Sequence, residues 1–237
     1  MRSLPVVARE TPRERVLSDA EIQLLLRACA RLDAAVDGRF AHYAQAWSAF
    51  VRLLLLTGQR RGEVAGLRWT EIVQESPGNW VWQIPSSRTK NGRTHLVHLS
   101  PQAVAVIQTQ RSFGINGFVL SPGSKNALSG FGKIKARLDR LIAADIAACG
   151  DDQGMSHWTW HDLRRTCATG LQRLGVRLEV TEAVLNHVSG ARSGIVGVYQ
   201  RHQWTVEKRT ALNLWAGHVD TLDHERGELA PSFHKIQ

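Results

Sequence analysis

Residues 50–67 read FVRLLLLTGQRRGEVAGL. The first half predicts the end of an amphipathic helix spanning about 41–57, because its apolar side chains recur at helical spacing. Gly58 is typical of the residue that ends a helix, since glycine readily adopts a left-handed backbone. A short second helix is predicted at 62–67. The stretch therefore indicates two helices that meet at a sharp corner.

The same corner carries side chains that could bind an anion. Arg60 lies at the mouth of the second helix, and a helix N-terminus beside a guanidinium forms a phosphate site. Glu63 follows three residues later, close enough to hold Arg60 in one rotamer. The alternative is a surface ion pair at a helix corner, and this motif alone does not decide between them.

The rest of the chain predicts more helices and one small sheet. Ser18 and Glu21 have capping-box spacing, which predicts a helix to about residue 32. Alternating apolar residues predict strands near 79–84 and 94–99, and Asn91 followed by glycine predicts a hairpin turn between them. Further helices are predicted near 101–111, 129–148, 159–173, 178–186 and 206–218, with a short strand at 118–120. The fold class is α+β, mainly helical, with a small antiparallel sheet and hairpin.

Composition divides the chain into three parts. Residues 1–17 are polar, contain two prolines and are expected to form a linker or arm. Residues 18–218 carry the helical and strand patterns and are expected to form the folded domain. Residues 219–237 are expected to form a polar tail.

The charge balance indicates a polyanion partner. Lys+Arg total 30 against 21 Asp+Glu, a formal net charge of +9, and all but six of the basic residues are arginine. Arginine grips phosphate with a planar pair of donors, so nucleic acid is the simplest partner. An ordinary basic surface is the alternative.

Three classes of protein are excluded. The strongest apolar run, 49–56, is interrupted by Arg52 and is far shorter than the roughly 20 residues of a membrane span. No charged-then-apolar signal peptide pattern opens the chain. Three widely spaced cysteines exclude a disulfide scaffold and a Cys-based zinc site, and they favour reduced thiols in a cytoplasmic compartment.

A second charged motif lies in the helix predicted at 159–173. His161 and Arg164 stand at i, i+3, on one helix face, where imidazole and guanidinium can both donate to phosphoryl oxygens. The alternative is zinc, because His157 and His161 stand at i, i+4. We discount zinc, since Trp158 replaces the glutamate of a metalloprotease helix and no third ligand is well placed.

Two further groups have both a structural and a functional interpretation. Arg88, Lys90 and Arg93 surround the hairpin tip, as either a solvated turn or a basic finger that reaches into a groove. His187 is followed by a Gly- and Ser-rich stretch and then by Tyr199, which basic residues flank. An isolated tyrosine is usually a packing residue, although tyrosine can act as a nucleophile.

The order of these motifs is more specific than any one of them. They are TGQRRGEVAGLRW at 57–69, TKNGRTHLVHLS at 89–100, HDLRRTCAT at 161–169, LNHVSG at 185–190 and VYQRH at 198–202. Together they closely resemble the tyrosine recombinase family of the phage integrase type. The resemblance covers roughly residues 18–217 and six functional positions in order.

The resemblance implies a role for each of the six positions. Arg60 and Arg164 would hold the non-bridging oxygens of a scissile DNA phosphate, and His187 would hydrogen-bond the same phosphate. The other three would move protons or attack. Tyr199 would attack phosphorus to give a 3′-phosphotyrosyl link, Lys90 would protonate the 5′ oxygen, and His161 would assist proton transfer at the tyrosine.

Residue chemistry agrees with this scheme. A free tyrosine is only about 0.1% ionised at neutral pH, so attack needs a proton acceptor or a strong positive field, which histidines and arginines supply. No ATP, metal or other cofactor is required, and the sequence has neither a GxxxxGK[ST] loop nor a tight carboxylate cluster. Glu63 would support Arg60, and Arg88, Arg93, Arg165 and Arg201 are expected to contact DNA.

The resemblance also implies partners and a context. These are double-stranded DNA, a homo-tetramer on DNA that is compatible with a free monomer, and a bacterial cytoplasmic location with no membrane. The family usually has an N-terminal helical DNA-binding domain that residues before 18 cannot form, so the chain is expected to be the catalytic domain alone. The long stretch before Tyr199 resembles the prophage integrase subgroup. A hypothesis is that the segment after Val219 docks on a neighbouring protomer.

Three other functions stay open at this point. A topoisomerase IB-like enzyme that nicks and closes DNA resembles recombinases at the same residues. A DNA-binding module without catalysis would require one of the six positions to be lost, and none is. A phosphate-binding hydrolase would need a water activator or metal that the sequence does not reveal. The sequence therefore favours a site-specific DNA recombinase.

Overall fold

The computed structural model describes residues 14–34, 41–110, 117–121, 126–149, 154–187 and 204–224. Helices occupy most of these ranges: α1 Asp19–Ala34, α2 Ala41–Thr57, α3 Arg61–Ala65, α4 Pro101–Gln108, α5 Phe131–Ala148, α6 Trp160–Arg173, α7 Leu178–Val184 and α8 Thr205–His224. The strands are β1 Ile72–Ser76, β2 Asn79–Ile84 and β3 His95–Leu99. This agrees with the predicted α+β class.

Side chains at the helix ends explain where two of the helices begin. Before α1, the main-chain N–H of Ser18 donates to the carboxylate of Glu21 at 2.8 Å, and the N–H of Glu21 donates to the Ser18 hydroxyl at 3.2 Å. Before α4, the Ser100 hydroxyl accepts from the N–H of Ala103, and Pro101 stands at the first helical position. The capping box predicted at the start of α1 is confirmed.

The sheet has one more strand than predicted. Its order is β1–β2–β3 with antiparallel pairing, so that Trp82 lies opposite Ile72 on one side and Val97 on the other. The sequence did not indicate β1, because four of its five residues are exposed and leave no apolar alternation. The strand predicted at 118–120 is wrong, since Phe118 forms only an isolated bridge with Arg68.

The core forms around α2, which packs against α1, α4, α6 and α8. Most of its residues are buried, and Trp47 contacts Phe50, Phe131 and Trp160 in an aromatic cluster. From the other side, the indole N–H of Trp215 on α8 donates to a main-chain oxygen near the end of α2, 2.8 Å away. The end of α2, where the arginine corner begins, is therefore held by buried side chains from several helices.

The folded region extends beyond both predicted limits. Leu17 is 1% exposed, and its N–H donates to the hydroxyl of Thr166 at 2.9 Å, so packing begins before residue 18. At the other end α8 continues to His224, and its residues Val219 and Leu222 are buried in the hydrophobic core of the domain. The prediction that a tail begins at 219 is therefore wrong for 219–224, and residues 225–237 lie outside the described ranges. Among the described residues, no helix is long and apolar enough to cross a membrane.

Candidate active site

Arg60 lies in the corner between α2 and α3. Its extended backbone makes it the N-cap of α3, and both its main-chain N–H and its guanidinium donate to the carboxylate of Glu63 at 2.9 Å. Glu63 is buried, so its carboxylate is a fixed acceptor that restricts the Arg60 side chain. The contact predicted from their spacing is confirmed.

Arg164 lies on α6 with its guanidinium buried beside the same corner. Nη1 donates to the main-chain oxygen of Gly58 at 2.8 Å, and Nη2 donates to that of Leu185 at 2.6 Å. Burial, followed by the nearby charge of Arg60, lowers the pKa of Arg164 to about 10, so the group stays charged at neutral pH. A guanidinium has five N–H donors, and the two carbonyls leave others for a ligand.

The two arginines line one open cleft of about 370 Å³. His161 lines the same cleft from α6, one helical turn before Arg164. Gln59 and the first residues of α3 also line it, together with Thr159 and Trp160 at the start of α6. A phosphate in this cleft would meet two positive charges from distant parts of the chain, as the family resemblance implies.

The two site histidines are held in the neutral form. His161 and His187 both keep exposed surface, but partial burial of each ring lowers its pKa. For His161 the charges of Arg165, Arg164 and Arg60 lower the pKa further, and for His187 those of Arg164 and Arg60 do so. Each imidazole therefore has a free lone pair at pH 7 and can accept a proton, which is the state that general-base assistance requires.

Backbone carbonyls at the end of α7 form hydrogen bonds with side chains from three other parts of the site. The oxygen of Val184 accepts from the amide of Gln59 at 2.9 Å and lies 3.1 Å from the Nε2 of His95. Burial, together with the charge of Lys208, lowers the pKa of His95 to about 3, so its ring is neutral and Nε2 must carry the hydrogen. With Leu185 held by Arg164, this turn is fixed from three directions.

Sequence reasoning missed Gln59 and His95 as supports of the site. His95 counted only as one residue of an alternating strand, and Gln59 as the variable residue between Gly58 and Arg60. Both side chains act through contacts with residues about ninety or more positions away, and a single sequence has no local signal for such contacts.

Lys90 lies in the connection between β2 and β3, on an exposed turn. The next residue, Asn91, donates from its side-chain amide to the side-chain oxygen of Asn186 at 2.8 Å. Asn186 directly precedes His187. The structure therefore brings the Lys90 turn next to the turn that carries His187.

The arginines expected to contact DNA have different surroundings. Arg88 points inward and forms an ion pair with the buried Glu71, and it also donates to the main-chain oxygen of Glu63 at 2.7 Å. Arg165 pairs with the buried Asp162 at 2.7 Å, while Arg93 is exposed. Arg88, which was expected to contact DNA, is thus bonded to the protein itself and links the connection to α3.

The remaining predicted residues, Tyr199 and Arg201, lie in 188–203, outside the described ranges. The assignment of the nucleophile therefore stays a prediction from the sequence. The described chain ends at His187 beside the cleft and resumes at Trp204.

The described residues contain no group of three or more His, Cys, Asp or Glu side chains placed to hold a metal ion. His157 and His161, the pair behind the zinc alternative, are both exposed, and His157 precedes the first turn of α6.

The sequence of this chain is similar to a known family and to curated prophage proteins. The family model described as phage integrase matches residues 15–203. Prophage integrase IntA of Escherichia coli (strain K12) is 28% identical over 171 residues, which cover 71% of this chain and 38% of IntA. Prophage integrase IntZ of the same strain is 32% identical over 177 residues, which cover 73% of this chain and 39% of IntZ. The match thus spans less than two-fifths of the length of either relative.

The fold is similar to that of solved recombinase structures. The XerH site-specific recombinase bound to difH substrate, in a pre-cleavage complex, superposes with a TM-score of 0.54 at 15% identity, over 80% of this chain and 51% of that chain. A post-cleavage complex of XerH bound to palindromic difH substrate superposes with a TM-score of 0.53 at 17% identity, over 79% of this chain and 49% of that chain. At these identities the likeness establishes the fold.

Proposed function

The chain belongs to the phage integrase family, and from this premise we propose that it is a site-specific DNA recombinase that cleaves and rejoins strands through a 3′-phosphotyrosyl intermediate. The observation that carries the proposal is the single cleft lined by Arg60, Arg164 and His161. Two fixed guanidinium groups in one cleft suit a phosphodiester, which carries one negative charge in the ground state and more as the transition state forms.

The two arginines would bind the scissile phosphate. Arg60 is held by Glu63, and Arg164 by the carbonyls of Gly58 and Leu185, so neither side chain has to be ordered when DNA binds. Preorganised donors lower the barrier because their orientation costs nothing at the moment of reaction. His187, whose main-chain N–H donates to the oxygen of Glu182 at 2.9 Å, would add a hydrogen bond to the same phosphate.

The chemical step would exchange one phosphoester for another. The Tyr199 oxygen forms a bond to phosphorus while the bond from phosphorus to the 5′ oxygen breaks. The phenol proton leaves towards His161, which is neutral and able to accept it, and Lys90 supplies a proton to the departing 5′ oxygen. The 5′-hydroxyl of another strand can then attack the phosphotyrosine and reverse the step, with no ATP or metal required.

A suicide substrate tests this proposal. Duplexes enriched from a random pool by retention on the protein are nicked just downstream of each candidate phosphate, so that cleavage releases a short strand and traps the covalent adduct. We expect an adduct that mass spectrometry maps to Tyr199. Tyr199→Phe should abolish the adduct while DNA affinity stays nearly unchanged, because only one hydroxyl is lost.

Tyr43→Phe is the matched control, since these are the two tyrosines of the chain and Tyr43 lies on α2 with its hydroxyl 3.4 Å from the oxygen of Ser129. It should leave adduct formation intact. An adduct that persists in Tyr199→Phe would assign the nucleophile to another residue. Relaxation of supercoiled DNA without any site preference would instead indicate a topoisomerase-like enzyme.

Double-stranded DNA is the proposed partner, and the proposed assembly is a tetramer on that DNA. The net charge of +9 and the arginine-lined cleft support the DNA partner. Light scattering of the protein with and without its selected duplex measures the assembly directly. A single protomer per recombination site would contradict the tetramer.

A further inference from the structure

Two turns that belong to different parts of the chain meet at a pair of asparagines. Asn91 Nδ2 donates to Asn186 Oδ1 at 2.8 Å, and the reciprocal amide contact measures 3.5 Å. Asn91 Oδ1 also accepts from the main-chain N–H of Arg93 at 3.2 Å. The Asn91 amide is thus oriented by its own turn and bound by the other one.

Each turn is stiff on its own side of the pair. In the β2–β3 connection, the Thr89 hydroxyl donates to the oxygen of Arg93 at 2.7 Å, and the N–H of Gly92 donates to the oxygen of Thr89. After α7, Asn186 has a left-handed backbone with φ of 52°, a conformation that asparagine tolerates better than most residues. A hydrogen bond between two stiff turns sets the distance between them.

The pair stands between two residues of the proposed mechanism. Lys90 directly precedes Asn91, and His187 directly follows Asn186. Lysine has a long and flexible side chain, so an exposed lysine is poorly placed for proton transfer unless its backbone is anchored. The α7 turn is a suitable anchor because Gln59, His95 and Arg164 already hold its carbonyls.

We propose that the Asn91–Asn186 amide pair is a positioning element that seats the Lys90 turn against the His187 turn, which sets the proton donor for the leaving oxygen at a fixed distance from the phosphate site. This role rests on the proposed function. Neither asparagine needs to contact DNA. The pair acts through Lys90, so its loss slows only the step in which the 5′ oxygen takes up a proton.

The test compares two leaving groups. Asn91→Ala, Asn186→Gly and the double variant are assayed for adduct formation on the selected suicide duplex and on the same duplex with sulfur in place of the bridging 5′ oxygen. A thiolate leaves without protonation, so the sulfur substrate does not need the donor. Glycine at 186 keeps the left-handed backbone accessible and removes only the side chain.

We expect each single variant to slow adduct formation on the oxygen substrate by about tenfold, which is part of the 10²–10⁴-fold that a general acid typically contributes. The double variant should be no slower than the slower single variant, because the two amides act as one unit. All three should match the parent chain on the sulfur substrate. The positioning role would be overturned if the variants formed adduct on the oxygen substrate at the rate of the parent chain. It would also be overturned if their rates fell equally on both substrates.

Two controls separate this role from the proposed function. Lys90→Ala should no longer form the adduct on the oxygen substrate but should still form it on the sulfur substrate. If it behaves otherwise, Lys90 is not the proton donor and the asparagine pair does not act through it. Asn79→Ala removes another half-buried asparagine amide, bonded to Ser76 at 2.6 Å in the β1–β2 turn, and should leave both rates unchanged. A parent chain that forms no adduct on either substrate would overturn the proposed function itself and the positioning role with it.

Discussion

Arg88 shows how an arginine can serve a binding site without facing the ligand. Its guanidinium pairs with Glu71, whose carboxylate also accepts from the indole of Trp82 at 3.0 Å. The same guanidinium lies against Gly66, where an added Cβ would come within 2.7 Å of it, and it donates to the backbone of Glu63. Arg88 therefore links the β2–β3 connection to the helix that carries Glu63, the residue that holds Arg60.

Arg88→Ala should destabilise the protein by about 3 kcal/mol, because a buried carboxylate loses its counter-charge and the loss of one partner of a buried pair has this magnitude. Urea unfolding measures the change. Arg93→Ala, which removes an exposed arginine of the same connection, is the control and should change stability by less than about 0.5 kcal/mol. A loss of DNA affinity in Arg88→Ala with full stability would instead support the DNA contact predicted from the sequence.

At the residue scale, the sequence predicts which side chains bear charge in the site better than it predicts what holds them. The contact of Arg60 with Glu63 follows from local helical spacing, so it could be anticipated. The contacts of Gln59 and His95 with Val184 join distant segments, and only the fold brings them together. Arg88 and its neighbours in the hairpin look alike in sequence, although Arg88 alone pairs with Glu71.

At the scale of elements, α6 and α8 cross closely at Gly170. A Cβ added there would stand 2.2 Å from the Trp215 ring, whose indole N–H is bonded to the oxygen of Leu55. Trp215 is fully buried, so it has little room to move away. The crossing positions α6, and with it His161 and Arg164, against the end of α2.

Gly170→Ala should destabilise the protein by about 2 kcal/mol, since overpacking of a dense core typically costs 1–3 kcal/mol and outweighs the gain in helix propensity. Gly217→Ala is the matched control, because Gly217 lies within α8 with no heavy atom near an added Cβ. That control should stabilise the protein by about 0.5–1 kcal/mol. Equal effects at the two positions, measured by thermal or urea unfolding, would contradict close packing at the crossing.

The elements that could be predicted are those with a strong apolar period. The bounds of α2 agree with the prediction because nearly every turn of it is buried. The length of α8 was underestimated, since polar residues separate Val219 and Leu222 from the apolar residues before them, although both pack in the core. β1 could not be predicted from its exposed residues, because its place in the sheet depends on pairing with β2.

At the scale of the whole molecule, two buried histidines in β3 make stability depend on pH. Burial is the main cause that lowers the pKa of His95 to about 3 and that of His98 to about 4. The folded state keeps both rings neutral, whereas the unfolded chain protonates them below about pH 6.5. Because the unfolded state then binds more protons, stability is present near neutral pH and is lost as the pH falls through this window.

As the pH falls from roughly 6 to 4.5, each histidine should lower the free energy of unfolding by about 1.4 kcal/mol per pH unit. His95→Gln retains an amide donor for Val184 and removes the titration, so its unfolding free energy should fall less steeply by about that amount per unit. Urea unfolding of both proteins from pH 7.5 to 4.5 provides the measurement. Parallel curves for the parent and His95→Gln would mean that His95 titrates equally in the folded and unfolded states.

The turn after α7 has a practical consequence for protein engineering. Its acceptors are peptide oxygens, at Val184 and Leu185, and no exchange of a side chain can delete a peptide oxygen. The identity of either side chain is therefore decoupled from the alignment of the arginine beneath it, provided the turn keeps its path. Both side chains are buried, so a designer should keep these two positions apolar and of similar volume. When a redesigned protein loses its alignment, Gln59, His95 and Arg164 are the residues to restore.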